Sequence, residues 1–353
     1  MEKNRALVGM SGGVDSSVAA YLIMKEGIPC AGATMLLHGN ACGGSSDVED
    51  ARAVARRLGI DHHVMDYREV FEKAVIRHFA KSYEAGRTPN PCIQCNRQLK
   101  FRRMLEGARE LGYDDVVSGH YARIRYDESS GRYLLLRAAD SAKDQTYFLA
   151  SLGQDQLRHI RFPLGELTKD QVRQIALEQG FVNARKRDSQ DICFVPDGDY
   201  AAFLERYHGS AYPAGDFLDL QGNVVGRHKG AVCYTLGQRK GLCLAMGTPV
   251  YVCGKDMASN TVTVGPNEAL FSPALMAEDW SWFPFPALTE PLRVTARIRH
   301  SLAEYPATVY PEADGKARVE FDTPQRAVTP GQAVVLYQGE TVIGGGTISR
   351  ALG

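Results

Sequence analysis

The segment VGMSGGVDSS, residues 8–17, restricts the fold more than any other stretch of the chain. The apolar run RALVGM leads directly into two glycines, and the apolar-periodic stretch SVAAYLIMKEG follows at once. That order predicts a buried strand, a tight turn and a helix ending at Gly27. Such a turn aims backbone N–H groups and a helix N-terminus at one point, which makes a cradle for an anion. Gly12 and Gly13 allow a ligand close to the backbone. Ser11, Ser16 and Ser17 can add hydroxyl donors, and Asp15 is placed to hold a magnesium ion on phosphates. No lysine stands where a Walker loop requires one and no G-x-G-x-x-G is present, so the turn is neither a Walker loop nor a dinucleotide fingerprint.

Downstream, strand and helix patterns alternate. IPCAGATMLL reads as a strand, and SSDVEDARAVARRLGI as a helix with Ser46 or Asp47 at its N-cap and Gly59 at its end. DHHVMDY is a third strand, VFEKAVIRHFAKSYEAG a helix, TPNPCIQCN a polar loop, RQLKFRRMLEGARELG a helix, and YDDVVSGHYAR a strand and turn. This alternation predicts an α/β fold, a doubly wound parallel sheet with helices on both faces. LTKDQVRQIALEQGF and YAAFLERYHG read as further helices. Beyond about residue 290 short alternating strands predominate, as in a small barrel.

With 353 residues the chain has room for two or three domains. No apolar run approaches the ~20 residues that span a bilayer, and MEKNRALVGMSGG lacks the form of a signal peptide. The expectation is a cytoplasmic protein without membrane contact. The formal net charge is +0, so any nucleic-acid surface must be a local patch. LRVTARIRH offers one: Arg293, Thr295, Arg297 and Arg299 alternate with Val294, Ala296 and Ile298, which puts basic groups on one face of a strand. Eight cysteines in such a chain do not predict a disulfide framework. Cys30, Cys233, Cys243 and Cys253 read as small apolar residues, and Cys42 lies in a glycine loop. Cys92 and Cys95 form a C-x-x-C.

SGGVDSS resembles the pyrophosphate-binding loop of the ATP pyrophosphatase superfamily. Together with GRTPNPCIQCNRQLKF (86–101), SGHYAR (118–123), KDQTYFL (143–149), SQDICFVPDGDY (189–200) and YTLGQRKGL (234–242), it closely resembles the bacterial tRNA 2-thiouridylase family. The resemblance runs from residue 6 to about 350. It implies an adenine nucleotide alpha hydrolase-like catalytic domain (1–207), a small central domain (208–274) and a C-terminal β-barrel (275–353) that contacts tRNA. It implies an ATP site of Gly9, Met10, Ser11, Gly12, Gly13, Val14, Asp15 and Ser16, with Met35 and Gly119 near the adenosine. It places Asn90, Pro91, His120, Lys143, Asp144, Gln145, Arg299, His300 and Gln332 at tRNA. The implied reaction adenylates the C2 oxygen of the wobble uridine and then delivers sulfur, supplied by a cysteine desulfurase or a relay protein.

In the better-studied branch of that family a nucleophile corresponding to Cys95 works with a persulfide carrier corresponding to Cys193. That branch has aspartate where this chain has Cys92, and a thiol is a much weaker acid than a carboxyl. Three cysteines, Cys92, Cys95 and Cys193, could instead hold a 4Fe–4S cluster with one iron open. A persulfide pair with Cys92 as an accessory is the alternative, and structural zinc lacks an obvious fourth ligand. Two rival functions share parts of the pattern: a small-molecule adenylating synthetase, and a non-catalytic RNA-binding or iron–sulfur protein. The first would not need the cysteines or the barrel, and the second would not need the complete nucleotide turn.

Overall fold

A computed structural model of the chain describes residues 4–38, 44–186 and 192–353; Cys42 and residues 189–191 of the SQDICF motif fall outside them. Five strands form one parallel sheet: β1 (Ala6–Gly9), β2 (Cys30–Leu36), β3 (His62–Asp66), β4 (Asp115–Val117) and β5 (Ile160–Arg161), in the order β3-β2-β1-β4-β5. The order reverses direction at β1, so a crevice opens between the C-terminal ends of β1 and β4, where open α/β sheets bind ligands. Helix α1 (Val14–Lys25) leaves β1 through the glycine turn. Helix α2 (Ser45–Leu58) is capped by Gly44 rather than Ser46 or Asp47; its C-cap Gly59 adopts φ 69°, the left-handed geometry that suits glycine. The central segment is a four-stranded sheet made of Gly215–Leu218, Val224–His228, Tyr251–Asp256 and Thr261–Gly265.

The C-terminal strands close on themselves through pairing of Phe271–Trp282 with Thr341–Leu352, which completes a six-stranded barrel. Leu292–Arg297 is one of its strands, and Val294, Ala296 and Ile298 point into its core as their alternation requires. A hairpin that the sequence pattern did not reveal, Arg123–Asp127 with Arg132–Leu136, extends from the nucleotide sheet to the barrel, where Leu136 pairs with Thr341. Behind it lies an apolar core common to both domains: Phe101, Leu135, Tyr147 and Leu149 pack with Phe283, Val335, Tyr337 and Val342.

The C-x-x-C segment is helical, not a loop. Pro91 occupies the first turn of the helix Pro91–Cys95, and the side chain of Asn90 caps it by accepting a hydrogen bond from the Cys92 N–H at 3.1 Å. The chain continues as a π-helix over Asn96–Arg103 and returns to α geometry over Met104–Glu110. Next to Cys193, Phe194 is 4% exposed and meets the rings of Phe71, Phe79 and Phe203 edge-on or tilted, with centroids 5.2–5.8 Å away. The residue after Cys193 is therefore a core anchor. Phe194→Ala is expected to lower the unfolding free energy by about 3–5 kcal/mol, measured by denaturant titration. A loss below 1 kcal/mol would mean that the ring does not hold this segment.

Candidate active site

The turn after β1 is knitted by its own hydroxyls and by its neighbours. Ser16 Oγ accepts from the Ser11 N–H at 3.2 Å and donates to the Gly13 carbonyl at 3.1 Å, and Ser17 Oγ donates to the same carbonyl at 2.9 Å. Thr34 Oγ1 donates to the Met10 carbonyl at 2.7 Å, and Asn183 Nδ2 donates to the Gly12 carbonyl at 3.0 Å. Gly12 has φ +73°, and a Cβ there would lie 2.5 Å from the Asp47 carbonyl oxygen, so both backbone conformation and space demand glycine. Gly9 backs onto the Met104 side chain, Met10 and Val14 are buried, and Gly13 caps α1. Met35 lies half-buried near the end of β2. Across the crevice Gly119 presses on the turn: a Cβ would fall 2.7 Å from Asp15 C and from Ser16 N. These expected nucleotide-site residues thus share one crevice.

Asp15 departs from its expected role. Its carboxylate accepts from Lys169 Nζ at 2.7 and 2.8 Å and from the Tyr121 hydroxyl at 2.8 Å. The side chain already faces a cation and a donor, so it does not fit a magnesium ligand as it stands; it ties the turn to β4 and to the helix Lys169–Glu178. Lys169 and Tyr121 were not singled out in the sequence, because the partners lie 154 and 106 residues from Asp15.

The cysteines lie beside this crevice. Cys92 is exposed, Cys193 is half-buried and Cys95 is 8% exposed. Cys95 and Cys193 pack into the same apolar cluster, and both are thiols rather than a disulfide. Desolvation pushes the Cys95 thiol up to about 12; Lys100 opposes that shift, and Cys193 and Cys92 add to it. Although the Cys92 side chain reaches solvent, desolvation by its surroundings also raises its pKa, again with Lys100 acting against the shift and Cys193 with it. The three cysteines are therefore electrostatic neighbours. Among the described residues, however, no three His, Cys, Asp or Glu side chains converge as a metal site. The cluster-ligand set expected for Cys92, Cys95 and Cys193 is not preassembled here.

Several residues expected at tRNA turn inward. Asp144 is 7% exposed; it accepts from the Thr146 hydroxyl at 2.6 Å and from the Ala138 N–H at 3.1 Å. Gln145 Oε1 accepts from the Tyr121 N–H at 2.9 Å. Arg299 donates to the carbonyls of Leu236 and Ala327 at 3.2 Å and to Thr329 Oγ1 at 2.6 Å, so it braces the central domain against the barrel. Gln332 Nε2 donates to the Thr88 carbonyl at 2.9 Å, just before Asn90 and Pro91. The basic strand face is compensated, because Arg293 pairs with Asp322 and Arg297 with Glu304. These ion pairs offset two of the strand's basic groups within the protein itself. His120 accepts or shares a hydrogen bond from Ser118 Oγ at Nδ1, 2.6 Å away, and burial holds its pKa well below the ordinary value, with Lys100 adding to the shift. The His300 ring packs against Phe148 at a tilt of 34°, with centroids 4.4 Å apart. Lys143 lies half-buried in the turn before Asp144.

Two outcomes are expected. Gly119→Ala forces a Cβ into the nucleotide turn; overpacking of about 1–3 kcal/mol corresponds to a Kd for ATP raised about tenfold to a hundredfold. Unchanged affinity by titration calorimetry would show that the turn tolerates the intrusion. The second concerns thiol reactivity. With its pKa raised, Cys95 is a neutral thiol at pH 8, so iodoacetamide should label it at least about a hundredfold more slowly than Cys92, with the Cys95 rate climbing as pH rises toward 12. Equal labelling of the two peptides by mass spectrometry at pH 8 would refute the burial effect.

Comparison with known proteins agrees with this geometry. The family model described as tRNA methyl transferase HUP domain matches residues 4–197, the tRNA methyl transferase PRC-barrel domain matches 201–266, and the aminomethyltransferase beta-barrel domain matches 272–348. The tRNA-specific 2-thiouridylase MnmA of Acetivibrio thermocellus is 48% identical over 99% of this chain and 100% of its own length. The protein of the same name from Clostridioides difficile is 46% identical over 99% of each chain. A solved 4-thiouridine synthetase–RNA complex with bound ATP aligns over 58% of this chain and 50% of that one at TM-score 0.38 and 18% identity, too remote to bear on function. With full-length identity at this level and a family model spanning the nucleotide sheet, the chain belongs to the tRNA-specific 2-thiouridylase family.

Proposed function

We propose that the chain is an ATP-dependent tRNA 2-thiouridylase, a sulfurtransferase that replaces the C2 oxygen of the wobble uridine with sulfur. The observation that carries this reading is the pairing of two chemistries: a glycine turn suited to phosphates after β1, and Cys95 and Cys193 in one apolar cluster against which Met35, near the end of the neighbouring strand β2, also packs. The uridine O2 attacks the α-phosphorus of ATP and pyrophosphate leaves, with the turn's N–H groups stabilising the phosphate charge. Sulfur then attacks C2, the C2–O bond breaks, and AMP leaves with the bonding pair. Water must be kept out of this step, because hydrolysis would only regenerate uridine.

The buried, converging thiols favour a persulfide relay. Cys193 carries the persulfide; the Cys95 sulfur attacks its inner sulfur while the Cys95 thiol proton passes to the departing terminal sulfur, a Cys95–Cys193 disulfide forms, and hydrosulfide is released toward C2. A thiol reductant then restores both cysteines. Cys92, exposed and unconverged, serves as an accessory, and no step is routed through a cluster. The cysteine pair also favours sulfur over methyl as the group transferred, although two of the matching family models are described by methyl transfer. The sulfur donor is a cysteine desulfurase or a relay protein, and the setting is the cytoplasm. No helix among the described residues is long and apolar enough to cross a membrane.

The test is incubation of the purified protein with an unmodified tRNA transcript, ATP and a persulfide donor, with 2-thiouridine detected by nucleoside mass spectrometry and iron measured in parallel. Iron-free protein is expected to thiolate, and pyrophosphate release is expected to need tRNA. Cys95→Ser and Cys193→Ser should abolish 2-thiouridine while leaving ATP binding intact, whereas Cys92→Ala should stay within about tenfold of the parent, unlike loss of a cluster ligand. Activity only with about four irons per chain, lost in Cys92→Ala, would overturn the relay. Pyrophosphate release indifferent to tRNA would favour the small-molecule synthetase.

A further inference from the structure

The π-helical stretch after Cys95 carries four basic residues: Arg97, Lys100, Arg102 and Arg103. Arg97 forms a two-pronged ion pair with Asp279 of the barrel, at 2.6 and 3.2 Å. Arg102 and Arg103 both face Glu106, at 3.5 and 2.7 Å. Lys100 alone of the four has no acidic partner among the described residues. It is not a freely solvated lysine either, because it is half-buried between Leu99 and Phe101, each 0% exposed.

Helix geometry decides where it points. In an α-helix a residue five positions on from Cys95 would sit about 140° around the axis, on the opposite face. In π-helical geometry the i→i+5 pairing places it over Cys95 instead. The next residue, Phe101, packs its ring on His120 at 5.5 Å, so this turn of helix abuts the SGHY turn, whose Gly119 touches the nucleotide loop. The field of the ammonium reaches Cys92, Cys95 and His120 alike. Lys100 thus stands on the turn of helix that links the Cys95 face to the SGHY turn.

We infer that Lys100 is a catalytic residue of the transfer step, its ammonium meeting the phosphate of the adenylated uridine and the sulfur anion that displaces it. The inference rests on the thiolation reading above. As the C2–S bond forms and the C2–O bond breaks, negative charge moves from the incoming sulfur to the departing AMP. A fixed cation beside both positions stabilises the charge throughout that movement. Pairing by a neighbouring carboxylate would cancel this effect, which gives a physical reason for Lys100 to lack the partners its three neighbours have.

The test compares the full-length protein with Lys100→Met and Lys100→Arg, using tRNA transcript, ATP and a persulfide donor. Three readouts are taken: kcat and KM for 2-thiouridine formation, single-turnover pyrophosphate release, and ATP Kd. Lys100→Met is expected to lower kcat about a hundredfold, with KM for tRNA and Kd for ATP within twofold and adenylation largely retained. Lys100→Arg should recover at least a tenth of the parental kcat. An unchanged kcat in Lys100→Met, or a loss confined to KM for tRNA, would overturn the inference and make Lys100 a bystander or a simple RNA contact. Failure of the parent protein itself to thiolate tRNA would instead refute the function from which the inference starts. Circular dichroism of each variant guards against misfolding, and Lys100→Arg preserves the charge if Lys100→Met does not fold.

Discussion

The apolar core shared by the nucleotide domain and the barrel is the constraint on which the site depends. Phe101 is fully buried in it, and Phe101 belongs to the helix that begins with the C-x-x-C. Packing that ring against Leu149, Phe283 and Tyr337 fixes the helix in position and rotation. On its other side Cys95 and Leu99 enter a second cluster that holds Phe194, the anchor next to Cys193. Two cysteines distant in sequence thus enter one apolar cluster through hydrophobic packing.

Polar links from the barrel fasten the same helix at both ends. The loop 330–332 holds Thr88 through two hydrogen bonds, from the Thr88 N–H to the Pro330 carbonyl at 2.8 Å and from Gln332 to the Thr88 carbonyl. Asp279 holds Arg97 from a kinked strand position where a non-glycine residue adopts φ 55°. Exposed pairs of this sort add little stability, but they restrict orientation. The barrel is therefore part of the site's scaffold, beyond any surface it offers to RNA.

The turn VGMSGGVDSS was legible because glycine spacing between an apolar run and a helical period has few structural solutions. The parallel sheet and the barrel were legible for the same reason, since local periodicity reports local structure. The C-x-x-C helix was misread as a loop because its prolines and polar residues resemble loop composition, although Asn90 before Pro91 was a helix-start signal. The face of Leu292–Arg297 was legible as an alternation of basic and apolar residues, but its ion pairs were not, because Asp322 and Glu304 lie elsewhere in the sequence.

What the sequence determined by itself is the set of parts: a glycine turn between a strand and a helix, the cysteines at 92, 95 and 193, and the folds that carry them. What only the tertiary structure decided is how those parts are occupied. Asp15 is held by Lys169 and Tyr121, Arg299 and Gln332 serve as struts, and Lys100 has no carboxylate partner among the described residues. The physical reason is that charge compensation and burial are set by neighbours in space. Those neighbours stand a hundred or more residues from Asp15 along the chain, and no local pattern reports them.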